Sequence, residues 1–429
     1  MRSEGFVFQQ GRHRNTFGSD ETTMTDKSRK TKQADSKPPA KPGKQKPAAA
    51  KGATEKKPAG KAKAGSEPAV VSPDLALLRE RIDGIDRHIQ ELIGERAQFA
   101  NQVGKAKGKL AAAVDYYRPE REAQVLRRVV DRNDGPLNDE VLVRLFREIM
   151  SACLAQQEPL KIGFLGPEGT HSQQAVYKHF GHSIHGLPLA SIEEVFQEVE
   201  AGSADFGVVP VENSTQGTIQ STLDMFLTSK LKISGEVELR VHQHLLSRSG
   251  RIEDIERVYS HPQSFAQCKA WLREYLPKAE KIAVSSNAEA ARRARNADDA
   301  AAIAGASAGS VYGLRTVAGP IEDRPDNTTR FLVIGRELFT PSGNDRTSLL
   351  IFIKDQPGAL YNVLSPFAKR GLSMNRIESR PGHTGRWQYA FFVDIGGHVQ
   401  EPAMREALEE LEELAHEVKV LGSYPVAIA

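Results

Sequence analysis

At 429 residues the chain is long enough for two to four domains. Hydrophobic residues make up 39% and aromatics 7%, and no stretch approaches the ~18 consecutive apolar residues of a membrane-spanning helix, which excludes a helical membrane protein. Only Cys153 and Cys268 are present, too few for a disulfide framework or a thiolate metal cluster, and this fits a reducing cytoplasm.

The net charge of +3 is uneven. Residues 1–70 hold sixteen Lys and Arg against seven Asp and Glu, a surplus of nine that leaves the remainder at −6. This segment is Lys, Ala, Pro and Gly with almost nothing to bury, so it reads as a disordered basic tail. Its charge could meet nucleic acid or anionic lipid, but a merely solvated tail is the simpler reading. The first thirty residues show neither an apolar signal core nor an Arg-rich amphipathic start, and Met24 is a second candidate start.

From Asp74, apolar residues fall at Leu75, Leu78, Ile82, Ile85, Ile89, Leu92, Phe99 and Val103. These steps of three and four predict one helix running to Lys107, roughly 51 Å long at ~1.5 Å per residue, which needs a partner along its length. Two further helices are expected at about 118–132 and 139–157, separated by the turn signal Asn133-Asp134-Gly135-Pro136. Three helices this exposed predict a dimeric all-α bundle over residues 71–158. After Glu158-Pro159 short apolar runs (KIGFLG, FGVVPV, RVYS, KIAVS, AAIAG, RFLVIG) alternate with helical stretches. They predict an α/β domain over 160–340 with largely parallel sheets. Residues 346–425 read strand, helix, strand, strand, helix, strand, a small α+β ferredoxin-like domain.

Arg96 occupies a seam position between Leu92 and Phe99 where the heptad calls for an apolar side chain, so its guanidinium must find an anion. A buried ion pair or a register-setting polar residue would explain it alone. Lys107 lies about three turns on along nearly the same face, while Arg121, Glu122 and Gln157 sit on the other two helices. With LALLRERID, GER, VGKAK and the closing AQQ, residues 74–157 resemble the all-helical chorismate mutases. Their substrate is a dicarboxylate whose breaking ether oxygen gains negative charge, so the chemistry needs cations rather than nucleophiles. The resemblance implies that Arg79 and Arg96 clamp carboxylates, Lys107 and Gln157 donate to the ether oxygen, and Arg121 and Glu122 hold the substrate. Arg118 and Cys153 depart from the Asp and the Ser or Asp usual in the family at substrate-contacting positions. Arg79 and Arg96 are about 25 Å apart along one helix, too far to hold one small molecule, so Arg79 must serve the partner's site.

In the α/β segment, GPEGTHS, VPVENST, SHPQ and DNTTRF place hydroxyl and amide side chains at strand ends. Ordinary N-capping explains each singly, while together they mark a cleft that binds anions at helix N-termini. No dinucleotide or ATP-binding glycine pattern occurs, so no cofactor is expected. No metal is expected either: His179, His182, His185, His242 and His244 lack a completing carboxylate or cysteine spacing and read as surface residues. Asn213-Ser214-Thr215 and Asn327-Thr328-Thr329 match the glycosylation acceptor, without meaning for a cytoplasmic chain. The segment 160–336 resembles prephenate dehydratase through GPEGT-x-S, VP-V-ENS-x-x-G, Y-SHPQ-x-x-x-QC and N-x-TRFLVIG. The resemblance implies a two-lobed, periplasmic-binding-protein-like fold. It sets Thr329 against the leaving hydroxyl, with Thr170, Glu212, Asn213, Ser260 and Gln267 lining the cleft and Arg330 either a carboxylate partner or an ion-pair member.

The C-terminal segment carries P-GAL-x-x-x-L (Pro357 to Leu364) and ESRP (Glu378 to Pro381), and resembles the ACT domains of phenylalanine-regulated dehydratases. This implies an L-phenylalanine site from Gly358, Ala359, Leu360, Glu378, Ser379, Arg380 and Pro381 at a subunit interface. Gly358 alone fits a tight turn equally well. The whole then reads as a homodimer or higher oligomer that acts on chorismate and prephenate in phenylalanine synthesis. Two rivals are a mutase fused to prephenate dehydrogenase, which would need a dinucleotide fingerprint, and a non-catalytic amino-acid-responsive binding protein, which would show no turnover.

Overall fold

The three-and-four spacing in the first helical segment yields α1 (Pro73–Lys107), one uninterrupted helix of 35 residues. The computed structural model describes residues 73–107, 117–215, 217–381 and 388–428; the tail expected over 1–70 and the Lys107 side chain lie outside that description. Helix α2 (Pro119–Asp131) has proline in its first turn, where a missing N–H costs nothing, and α3 (Asp139–Ala155) is capped by Asn138 accepting from the Val141 N–H. These two pack through Ala123, Leu126, Val143 and Cys153. The seam of α1 stays open instead: Leu78, Ile85, Leu92 and Phe99 are each half or more exposed.

The α/β segment folds as two lobes. The first holds β1 (Lys161–Leu165), α4 (His171–Phe180), β2 (His185–Leu189), α5 (Ile192–Ala201), β3 (Phe206–Asn213), β4 (Gly217–Thr218), α6 (Gln220–Thr228) and β5 (Lys232–Arg240). The second holds β6 (His244–Ser247), β7 (Arg257–Ser260), α7 (Pro262–Gln267), α8 (Lys269–Tyr275), β8 (Glu280–Ala283), α9 (Asn287–Ala294), β9 (Ala300–Ala304), α10 (Ala306–Tyr312) and β10 (Arg315–Ala318). Strand β11 (Thr328–Gly335) then returns to the first lobe and completes a sheet ordered β2-β1-β3-β11-β5; the second lobe's sheet is β10-β6-β9-β7-β8. Helix starts follow the sequence: Thr170, Ser191 and Ser286 each accept a backbone N–H three residues on.

The sheets are mixed rather than largely parallel. β1 pairs parallel with β2 and β3, and β7 with β8 and β9, but β11 runs antiparallel to both neighbours and β6 antiparallel to β9 and β10. The reason is connectivity: the chain leaves the first lobe after β5 and re-enters it from the second lobe, so β11 arrives from the opposite end. Strands β2, β5, β6 and β10 escaped the sequence reading because Pro, Gly, His and charged residues interrupt their apolar runs.

The last segment is βαββαβ as expected: β12 (Asp345–Lys354), α11 (Ala359–Lys369), β13 (Met374–Pro381), β14 (Gln388–Gly396), α12 (Pro402–Leu414) and β15 (Glu417–Pro425), with sheet order β13-β14-β12-β15. Alternation along β12 explains its unbroken apolar run. Leu349, Ile351 and Ile353 meet Val363, Phe367 and Leu411 of the domain's own helices, while Leu350 and Phe352 join Val195, Phe196 and Phe226 of the first lobe. Dehydratase-like lobe and C-terminal sheet therefore share one core.

That shared core holds a buried ion cluster. Arg330 of β11 donates to Glu236 of β5 at 2.9 Å, to Asp394 of β14 at 2.8 Å and to the Tyr424 hydroxyl at 3.1 Å, and Arg346 donates to Glu236 at 2.5 Å. Asp394 and Tyr424 are tied in turn through Ser348. Arg330 and Arg346 balance Glu236 and Asp394, so the cost of burying four charges is offset only while the set is complete. Arg330→Ala should lose about 3 kcal/mol of stability, the low end for a broken buried pair because Arg346 still faces Glu236. Urea unfolding followed by circular dichroism reads this, and an unchanged midpoint would show the cluster to be structurally idle.

Candidate functional site

Two separate constellations emerge. The first is a cavity of about 310 Å³ between α1, α2 and α3, lined among others by Arg96, Arg118, Arg121, Glu122, Cys153 and Gln157. Three guanidiniums around one hollow make a site for an anion with more than one acidic group. The two residues that depart from the family pattern, Arg118 and Cys153, both reach this wall. Burial raises the Glu122 carboxyl above its ordinary range, against the pull of the Arg147 guanidinium 3.5 Å away. Gln157 donates from Nε2 to the Ala100 carbonyl at 2.9 Å, and its Oε1 is buried without a hydrogen-bond partner. A Cβ on Gly104 would stand 2.6 Å from that oxygen, so the bare backbone of Gly104 is what lets the amide lie against α1. Arg79 does not line the cavity, consistent with its distance along α1.

The second constellation lies at the crossing between the lobes. Thr329 and Asn213 are cross-strand partners on β11 and β3, and the Asn213 amide donates to Thr329 Oγ1 at 2.8 Å and to Asn327 Oδ1 at 3.0 Å. Thr215 donates to Asn213 Oδ1 from both its N–H (3.0 Å) and its hydroxyl (2.5 Å). Gln267 of the second lobe donates to Thr215 Oγ1 at 3.4 Å and accepts from Gln243 at 3.2 Å. The hydroxyl of Thr329 thus accepts from a fixed amide, which leaves its own proton to be donated elsewhere.

Of the cleft residues expected, Asn213, Gln267 and Thr329 are brought into this network. The others are placed differently. Thr170 is occupied as the α4 cap, accepting from Gln173 N and donating to the Leu165 carbonyl. Ser260 is fully buried and donates to Asn287 within the second lobe. Glu212 and Arg330, each one residue out of phase with the network, face the C-terminal domain: Glu212 sits 3.5 Å from Arg376 of β13, and Arg330 lies in the ion cluster. Of the two roles open to Arg330, its contacts are those of an ion-pair member. Thr215 belongs to the VPVENST cluster already singled out, while Asn327 and Gln243 were missed, although for Asn327 the Asn-x-Thr run carried the signal as a hydrogen-bonding turn rather than a glycosylation acceptor.

His182 and His185 are exposed as expected, whereas His179, His242 and His244 are partly buried. His179 is half-buried with its ring 3.2 Å from the Tyr117 hydroxyl and desolvation lowers it to about 3, while His242 pairs with Glu322 and His182 with Glu148, both at 2.7 Å. Among the described residues no cluster of His, Cys, Asp or Glu could hold a metal. In the C-terminal domain a hollow of about 330 Å³ is lined by Gly358, Ala359, Leu360 and Ser379 with Tyr389 and Phe391. Gly358 caps α11 at φ +79°, a conformation that favours glycine. Glu378, Arg380 and Pro381 do not line the hollow, and Arg380 pairs instead with Asp224 of α6.

Comparison with known proteins places all three segments. The family models for chorismate mutase type II, prephenate dehydratase and the ACT domain match residues 78–158, 162–338 and 347–413. A bifunctional chorismate mutase/prephenate dehydratase of Stutzerimonas stutzeri is 51% identical over 359 residues, covering 82% of this chain and 98% of that protein. The chain belongs to this bifunctional family. Among solved structures, a prephenate dehydratase from Arthrobacter aurescens in complex with L-Phe is 35% identical with a TM-score of 0.57, covering 62% of this chain and 90% of the other. A protein described as a quorum-quenching acylase is 29% identical with a TM-score of 0.59 over 62% of this chain and 98% of its own. The lobed fold is thus shared by proteins of different names, and the near-full-length bifunctional relative also sets aside a dehydrogenase fusion or a non-catalytic binder.

The geometry at Gly104 yields a test. Gly104→Ala gains up to about 1 kcal/mol of helix propensity but displaces the Gln157 amide from its seat. Mutase kcat should fall at least about tenfold, as for a misplaced transition-state donor, with thermal stability unchanged or raised. An unaltered kcat would remove Gln157 from the chemistry.

Proposed function

We propose that the chain converts chorismate to prephenate in the helical cavity and prephenate to phenylpyruvate in the lobe cleft, in two separate sites. In the first, Arg96, Arg118 and Arg121 hold the carboxylates. Gln157 and Lys107 meet the ether oxygen as negative charge builds there, and Glu122 lines the same cavity as Gln157. In the second, departure of ring hydroxyl and carboxylate is driven by aromatisation, and the enzyme has only to protonate the leaving oxygen. Thr329 does so, with Asn213 holding its acceptor side. The observation that carries this reading is the 2.8 Å bond from the Asn213 amide to Thr329 Oγ1, which occupies an acceptor site of the hydroxyl and leaves its proton free for donation.

The mutase site is completed by a second copy. The exposed apolar face of α1, from Leu78 to Phe99, and the separation of Arg79 from Arg96 support a homodimer with interlocked long helices. L-phenylalanine acts in the hollow beside Gly358 and Ser379, whose strand β13 also carries Arg376 to Glu212 next to Asn213. The protein works in the cytoplasm; its two free, buried cysteines and the absence of a membrane-spanning helix among the described residues support this.

Purified protein given chorismate should release phenylpyruvate. Thr329→Ala should lower dehydratase kcat roughly 10²-fold, the usual worth of a general acid, with little change in KM; a change in KM alone would make Thr329 a binding group. Arg79→Ala and Arg96→Ala chains, each inactive, should recover about a quarter of wild-type mutase activity when co-refolded, since one of two sites in each mixed dimer is intact. A verified mixed dimer without activity would refute the shared site.

A further inference from the structure

The mutase cavity is not walled by helices of the mutase segment alone. Leu160, Phe180, Ser183 and Ile184 also line it, and all four belong to the dehydratase segment. Only five residues separate the end of α3 at Ala155 from the start of β1 at Lys161, so the two segments are closely tethered. The turn after α4 is instead pressed against α3. Gly181 has φ +73°, and a Cβ there would stand 2.6 Å from the Ser151 side chain, an approach no other residue permits. The Ser183 N–H donates to Ser151 Oγ at 3.3 Å. Glu148 of α3 grips the turn twice, accepting from the His182 N–H at 3.1 Å and meeting its ring at 2.7 Å. Beneath them Phe180 packs on Tyr117 with ring centroids 5.4 Å apart.

We propose that the turn formed by residues 181–184 is a fixed wall of the mutase site, and that Ser183 sets the depth of the pocket available to the dicarboxylate substrate. This rests on the assignment of the mutase site to the helical cavity. The turn's hydrogen bonds run to Ser151 and Glu148 of α3, which leaves the same residue mute toward the dehydratase reaction. A hydroxyl of this size leaves room beside Arg96 and Arg121; a larger side chain at 183 would occupy volume the substrate needs in a cavity of about 310 Å³.

The test is a size series, Ser183→Ala, Ser183→Leu and Ser183→Trp, assayed on the same preparations with chorismate for the mutase and with supplied prephenate for the dehydratase. Chorismate KM should rise with side-chain size, at least tenfold for Ser183→Trp and less for Ser183→Leu. Dehydratase kcat and KM should stay within twofold, which also shows that each variant is folded. A mutase KM within twofold of wild type in Ser183→Trp overturns the proposal, and so does a parallel fall of both activities along the series. Arg96→Ala is measured alongside: if it retains full mutase activity, the placement of the site itself is wrong, whereas its loss beside an indifferent Ser183→Trp condemns only the wall.

Discussion

Thr329 and Arg330 are neighbours on one extended strand, and neighbours on a strand face opposite ways. This forces the hydroxyl toward Asn213 in the cleft and the guanidinium toward Glu236 and Asp394 beneath the C-terminal sheet. The pattern repeats on the adjoining strand, where Asn213 holds Thr329 and Glu212 meets Arg376. The strand ends that build the cleft are therefore the same strand ends that anchor the C-terminal domain, and neither set of contacts can shift without the backbone of the other. The apolar core continues across this boundary through Leu350, Phe352 and Tyr424, so that domain is a covering layer of the lobe rather than an appendage.

The helical segment obeys a different constraint. An α1 of 35 residues carries apolar residues along its length, and among the described residues Leu78, Ile85, Leu92 and Phe99 are each left half or more exposed. Together with α1, helices α2 and α3 supply three sides of a cationic cavity, and Leu160, Phe180, Ser183 and Ile184 of the dehydratase segment also line it. Arg127 of α2 further donates to the Ser342 and Asn344 carbonyls in the link that leads into the C-terminal domain. Every segment thus touches the other two.

Much of this was legible because local rules sufficed. The heptad steps gave α1, the order strand, helix, strand, strand, helix, strand gave the C-terminal domain, and the TRF and ENS runs pointed to Thr329 and Asn213. What escaped was the consequence of phase. A sequence motif presents Glu212-Asn213 and Thr329-Arg330 as single blocks, yet only one member of each pair can face the cleft, and deciding which requires the sheet. The capping role of Thr170, which accepts from Gln173 and donates to Leu165, was legible only as one of two readings of its hydroxyl. His179 looked superficial because no local pattern announces that Tyr117, sixty-two residues earlier, packs over it. The wall at Ser183 could not be seen at all, since it joins segments that the sequence separates into different domains.

The coupling between the C-terminal domain and the cleft is the claim on which the regulatory reading stands, and hydrogen–deuterium exchange of the full chain with and without the proposed effector, L-phenylalanine, tests it most directly. If β13 is tied through Arg376 to Glu212, exchange should change in peptides covering 374–381 and, in the same experiment, in those covering 206–213 and 328–335. Changes confined to residues 345–425, with both cleft strands exchanging as before, would contradict it.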